Sequence, residues 1–230
     1  MKQLALDIGL AGGPTLDNFH AGANAQVLQH LRLSLGEAGA PCSPVPAYLW
    51  GAAGTGKTHL LRAVHEHLRG QGARVAWLDA GSTRFSAFDE RCSAVLLDEV
   101  HLYGTEQQAV AFNWFVNAIS PATGAARWVL AAGDLPPADL PLRDDLRTRL
   151  AWGHVFALQP LAEEGLRAVL RLQAQERGIE LPGEVVDFIL QRFSRDLSSL
   201  SQLLERLDRF ALRARRAVTV PLLKTMLESE

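Results

Sequence analysis

Apolar positions along this chain follow two rhythms, and the point where one gives way to the other divides it. Up to residue 158, short apolar runs alternate with stretches of helical spacing. The runs are residues 47–50, 75–78, 94–97, 127–132 and 155–158. Runs this short, without polar alternation, suit strands covered on both faces. Between them, 57–69 and 106–119 carry helical spacing, as does 22–36, where Ala25, Leu28, Leu31, Leu33 and Leu35 supply the apolar positions. Strands alternating with helices predict a parallel sheet flanked by helices. After Gln159-Pro160 the runs cease, and only helical periodicity follows, over 162–176, 183–193, 197–213 and 220–227. Gly178, Pro182 and Pro221 mark the breaks. The pattern predicts an extended lead-in over 1–14, an α/β domain over 15–160 and an all-helical domain over 161–230.

Composition narrows the class without changing this layout. A chain of 230 residues that is 48% hydrophobic can bury roughly 70% of its unfolded surface without disulfide or metal staples. Twenty-three Lys and Arg against 25 Asp and Glu give a net charge of -2, which argues against a protein that coats nucleic acid. Cys42 and Cys92 stand apart with no metal spacing, which suits a reducing compartment. Asp7 and Gly9 interrupt any signal-peptide core, and the apolar stretches fall far short of the ~18 residues of a membrane helix. A cytoplasmic globular protein is the expectation.

Candidate chemistry begins at Gly51-Ala52-Ala53-Gly54-Thr55-Gly56-Lys57-Thr58, which fits G-x-x-x-x-G-K-[ST] between a strand and a helix. In such a loop, backbone N–H groups surround phosphate oxygens, the lysine reaches the terminal phosphates and the Thr58 hydroxyl can hold Mg²⁺. The run 94–97 ends in Asp98-Glu99, placing Asp98 as a metal partner and Glu99 as the group that would polarise a water. The run 127–132 is followed by Gly133-Asp134-Leu135-Pro136-Pro137. Asp134 is either close to the same nucleotide, beyond the carboxyl ends of the strands, or a turn residue ahead of two prolines. The predicted ligand is a nucleotide with Mg²⁺.

Together, the phosphate loop, Asp98-Glu99, Gly133-Asp134 and the helical C-terminal domain resemble an AAA+ module with its lid. Within that class, Asp17-Asn18-Phe19-His20-Ala21-Gly22-Ala23-Asn24, Gly133-Asp134-Leu135-Pro136-Pro137, Arg147-Thr148-Arg149-Leu150-Ala151-Trp152-Gly153 and Ser194-Arg195-Asp196-Leu197 resemble the DnaA-related family. The resemblance implies that the nucleotide is ADP or ATP with Mg²⁺, that Asn18 and Phe19 lie near its base and that the loop glycines Gly51, Gly54 and Gly56, with Thr55, Lys57, Thr58 and His59, line its site. It also makes Asp134 sensor 1, Arg149 an arginine finger acting in trans and Arg195 the sensor 2 arginine of the lid. Arg149 has a local alternative, an exposed pair with Asp145 four residues away.

Two features separate the chain from the initiator DnaA. No helix-turn-helix segment follows the lid, and only 15 residues, 79–93, separate the second and third strands. The chain therefore resembles the Hda-type regulators of this family, which act with the replication sliding clamp. Gln3-Leu4-Ala5-Leu6-Asp7-Ile8 resembles a clamp-binding peptide, with Gln3, Leu4, Leu6 and Ile8 as anchors; alone it would read as an idle tail or an edge strand. The expected partners are the clamp and DnaA, with DNA met mainly through the clamp and self-association open. Own ATPase turnover is expected to be weak or absent. The rival reading is a helicase loader that hydrolyses its own ATP and grips single-stranded DNA.

The remaining features take plainer readings. His59, His65 and His67 have no acidic or Cys residue at metal spacing, which argues against a zinc site, and Trp50, Trp77, Trp114 and Trp128 read as packing. Arg206, Arg209, Arg213, Arg215 and Arg216 read as a solvated helix face, weak direct DNA contact being the lesser reading.

Overall fold

The computed structural model describes residues 13–36, 42–193 and 196–229, the side chain of Ser198 excepted. Pro14–Pro160 form one compact unit, and the residues from Leu161 onward belong to a second.

The first unit is a five-stranded parallel sheet in the order β2-β3-β4-β1-β5. Its elements are α1 (Ala25–Leu35), β1 (Ala47–Trp50), α2 (Lys57–Gly70), β2 (Arg74–Leu78), β3 (Cys92–Leu97), α3 (Thr105–Ile119), β4 (Trp128–Gly133), α4 (Asp144–Leu150) and β5 (His154–Ala157). The two-residue period of a strand sends alternate side chains to opposite layers. Leu49, Leu96 and Leu130 join Leu31, Leu60, Leu61 and Val64 of α1 and α2. Tyr48, Val95, Leu97 and Val129 join Phe115 and Leu146 of α3 and α4. Both faces of the central strands are therefore dry, which accounts for their unbroken apolar runs. The register pairs Trp50 with Gly133 and Leu97 with Ala131, so the loops after β1, β3 and β4 leave the same edge side by side.

The predicted strands and helices all appear, with ends shifted by up to three residues. Helix α4 was not anticipated from periodicity: at seven residues, it places only Leu146 and Leu150 in the core. Residues 79–91, linking the adjacent strands β2 and β3, contain neither helix nor strand. Helix α3 holds this segment, with Gln107 Nε2 donating to the Ala80 carbonyl (2.8 Å) and Trp114 Nε1 to that of Ser86 (3.3 Å).

The second unit contains α5 (Glu163–Glu176), α6 (Gly183–Arg192), α7 (Leu197–Ala214) and α8 (Val220–Glu228). Its core includes Leu166, Leu170, Val185, Ile189, Leu203, Leu207, Leu223 and Met226. Arg167 of α5 pairs with Glu163 on its own helix and with Asp187 of α6. Among the described residues no helix is long and apolar enough to cross a membrane.

Candidate nucleotide-binding site

The loop after β1 turns into α2 through Gly56, whose φ of +92° lies in the left-handed region. A Cβ there would also come within 2.7 Å of the Phe19 ring. Glycine at 56 thus serves both the turn and the close approach of the N-terminal segment. That segment is fixed in its own right. The Thr15 N–H donates to Asn18 Oδ1 (2.9 Å), and the Asn18 N–H donates to the Thr15 hydroxyl (3.0 Å). His59 Nε2 lies 3.0 Å from the Thr15 carbonyl oxygen, and its ring is 5.7 Å from that of Phe19. Asn18, Phe19 and His59 are thus brought against the start of α2.

Lys57 carries a buried ammonium, with the residue 8% exposed. Its Nζ donates to the carbonyls of Gly51 (2.6 Å) and Ala52 (2.9 Å), approaches Thr55 Oγ1 (3.4 Å) and lies 3.0 Å from Asp134 Oδ1. An ammonium removed from water requires such neighbours, and Asp134 supplies the compensating charge from the end of β4. Asp134 also receives His101: its N–H donates to Nδ1 (3.2 Å), while Nε2 stands 3.4 Å from Oδ2. Asp134 is therefore more than a turn former.

Asp98 is 2% exposed. Burial raises its pKa, opposed by hydrogen bonds from the Thr58 hydroxyl and the Glu99 N–H, the latter 3.0 Å long. Glu99 is exposed, and its φ of +54° is unusual for a side-chain-bearing residue, a form of backbone strain found at functional sites. Thr58 and Asp98 suit Mg²⁺, which is commonly held by one or two protein oxygens plus phosphate. Among the described residues no cluster of three or more His, Cys, Asp or Glu forms a separate metal site.

Arg149 stands on α4. Arg143 pairs with Asp145 (2.7 Å) and Arg147 with Asp144 (2.6 Å). The alternative Asp145–Arg149 pair is not formed, and Arg149 has no side-chain hydrogen bond or ion pair among the described residues. Gln3, Leu4, Leu6, Ile8 and Arg195 lie outside the described residues.

Three residues near these elements carry no role assigned from the sequence. His101 follows the Asp98-Glu99 pair closely and could have been flagged by that proximity. Tyr48 donates to the Leu135 carbonyl (2.6 Å), and burial with the nearby Asp134 charge raises its pKa. Buried Asn24 clasps the Gln159 backbone, donating to its carbonyl (2.9 Å) and accepting from its N–H (2.8 Å).

Comparison with known proteins agrees with this arrangement. Residues 163–227 match the family described as Hda, lid domain, and residues 11–88 the bacterial DnaA ATPase domain. An uncharacterized protein of Haemophilus influenzae is 33% identical over 98% of each chain. Domain III of the Thermotoga maritima replication initiation protein DnaA superposes with a TM-score of 0.78 at 22% identity, over 94% of this chain and 95% of that one. The AMPPCP-bound DnaA of Aquifex aeolicus gives 0.66 at 24% identity, over 85% of this chain and 65% of that one. With its phosphate loop, its 5-stranded parallel sheet and its helical unit, the chain belongs to the DnaA-related AAA+ family and is Hda-like in its lid.

Proposed function

We propose that this protein is a nucleotide-bound regulator of replication initiation that, with the DNA-loaded sliding clamp, stimulates hydrolysis of the ATP held by DnaA. Arg149 is the observation that carries the reading. Its guanidinium is permanently charged, and no carboxylate of the described residues pairs with it, whereas both neighbouring arginines are paired. An arginine without a partner of its own is suited to a phosphate on another molecule.

The chain's own nucleotide would engage Lys57, the loop backbone and Asp134, with Phe19 and Asn18 beside it. The buried ammonium of Lys57, lodged against loop carbonyls, fits a phosphate ligand. Mg²⁺, when bound, would supply positive charge to the phosphates, held by Thr58 and Asp98. Arg195 is proposed as a further cation toward that nucleotide. The clamp is proposed to take Gln3, Leu4, Leu6 and Ile8, and cytoplasmic residence follows from these partners.

The test is hydrolysis of DnaA-bound ATP in the presence of DNA-loaded clamp. Arginine fingers supplied in trans contribute roughly 10³–10⁵ in rate, because a fixed charge meets the transition state in a dry interface. Arg149→Ala should keep the fold and nucleotide binding and lose the stimulation. Combined Ala replacement of Gln3, Leu4 and Leu6 should lose clamp pull-down at an unchanged melting temperature. Near wild-type stimulation by Arg149→Ala would reject the finger. ATP turnover by the chain alone, abolished by Glu99→Gln and accompanied by no effect on DnaA, would favour the loader.

A further inference from the structure

Helix α7 ends in a cationic surface that the functional reading leaves unused. The helix buries Leu200, Leu203, Leu204 and Leu207. Arg206, Arg209 and Arg213 follow at spacings of three and four, which aligns them along a stripe about 10 Å long. Residues 212–217 are all exposed, Leu212 to 71%. Arg209 is paired with Glu205. Arg213, Arg215 and Arg216 have no ion pair or side-chain hydrogen bond among the described residues.

The backbone adds an independent observation. The Arg216 N–H donates to the Ala211 carbonyl (3.2 Å) and the Arg215 N–H to that of Leu212 (3.3 Å), the bonds of a Schellman cap. Arg215 occupies the left-handed position of that cap, φ +52°, where glycine is usual. Retaining a long cationic side chain at a strained position is an outlier that points to a use for the charge.

We infer that this end of the lid domain contacts the phosphate backbone of duplex DNA without reading its sequence. All five basic residues from 206 to 216 are arginine, whose planar fork suits phosphate oxygens. No Asn or Gln lies between 205 and 217 to read adenine, so the only base edge these arginines could single out is that of guanine. The one aromatic residue there, Phe210, packs against the lid core and offers no platform for unpaired bases. With a net charge of -2 for the whole chain, the attraction is local, and affinity should be modest and steeply salt-dependent. The inference is independent of the clamp and of DnaA.

Anisotropy of a short labelled duplex of arbitrary sequence, titrated with the full chain alone between about 50 and 200 mM salt, tests it. Replacing Arg213, Arg215 and Arg216 together by Ala should reduce the slope of log K against log salt by about 2 to 3. It should also weaken low-salt binding by at least about tenfold, with no loss in melting temperature. Replacing the three by Lys should retain most of the slope. Arg215→Gly alone should raise the melting temperature while lowering DNA affinity, a combination that a purely structural role would not produce. The inference fails if wild type shows no low-salt binding, if the triple-Ala variant keeps the wild-type slope, or if single strands bind as tightly as duplex. It also fails if that variant keeps its DNA affinity but loses binding to phosphatidylserine vesicles, which would assign the surface to lipid.

Discussion

Gly56→Ala tests how the phosphate loop and the N-terminal segment hold each other. At φ +92° and ψ +15°, an alanine carries a left-handed penalty of about 1–2 kcal/mol. Its Cβ would stand 2.7 Å from Phe19 Cε2, closer than carbon atoms approach, so the ring must leave. Phe19 is half-buried against the α1 and α2 core, and displacing it should forfeit about 1–2 kcal/mol, below the value for a fully buried phenylalanine. The contacts of Thr15 with Asn18 and His59 keep the segment from simply drifting away. The total, about 2–4 kcal/mol, corresponds to a fall in melting temperature of roughly 5–15 °C for a chain of this size. Urea unfolding of the single variants Gly56→Ala and Phe19→Ala and of the double variant separates the parts. In the Phe19→Ala background only the backbone penalty should remain, leaving a coupling of about 1–2 kcal/mol. A cost below about 0.5 kcal/mol would refute the backbone reasoning. Equal costs in both backgrounds would refute the steric part.

Two further predictions concern titration. Burial raises the Asp98 pKa in the folded protein, so this group's contribution to stability falls as pH rises from the ordinary carboxylate range through the folded value. Asp98→Asn should therefore gain on wild type in urea midpoint between about pH 4 and 7 while losing Mg²⁺-dependent nucleotide affinity; a pH-independent difference would argue against the effect. Burial and the neighbouring His154 lower the His30 pKa, so stability tied to its neutral form is present above about pH 6.5 and drains away as pH falls. Replacement by Gln should flatten the decline in midpoint between about pH 7 and 5, and an unchanged slope would exclude His30 as its source.

The order of strands and helices, the phosphate loop and the Asp98-Glu99 strand end were legible because each depends on residues near one another in sequence. A G-x-x-x-x-G-K-[ST] loop between a strand and a helix carries its geometry with it, and a both-sides-buried strand must be apolar throughout. Helix α4 was not legible, since its seven residues put only two side chains in the core. The Lys57–Asp134–His101 grouping was beyond periodicity altogether, because it depends on β4 lying beside β1 with Trp50 opposite Gly133. The Asn24–Gln159 clasp likewise joins residues 135 positions apart. Arg149 shows the distinction most plainly. Its spacing from Asp145 invited a local pair, but Arg143 approaches α4 in an extended conformation and takes that carboxylate, while Arg147 takes Asp144. Spacing sets which charges can meet. Which of them remains without a partner is decided by backbone path and competition among neighbours, and those exist only in the folded chain.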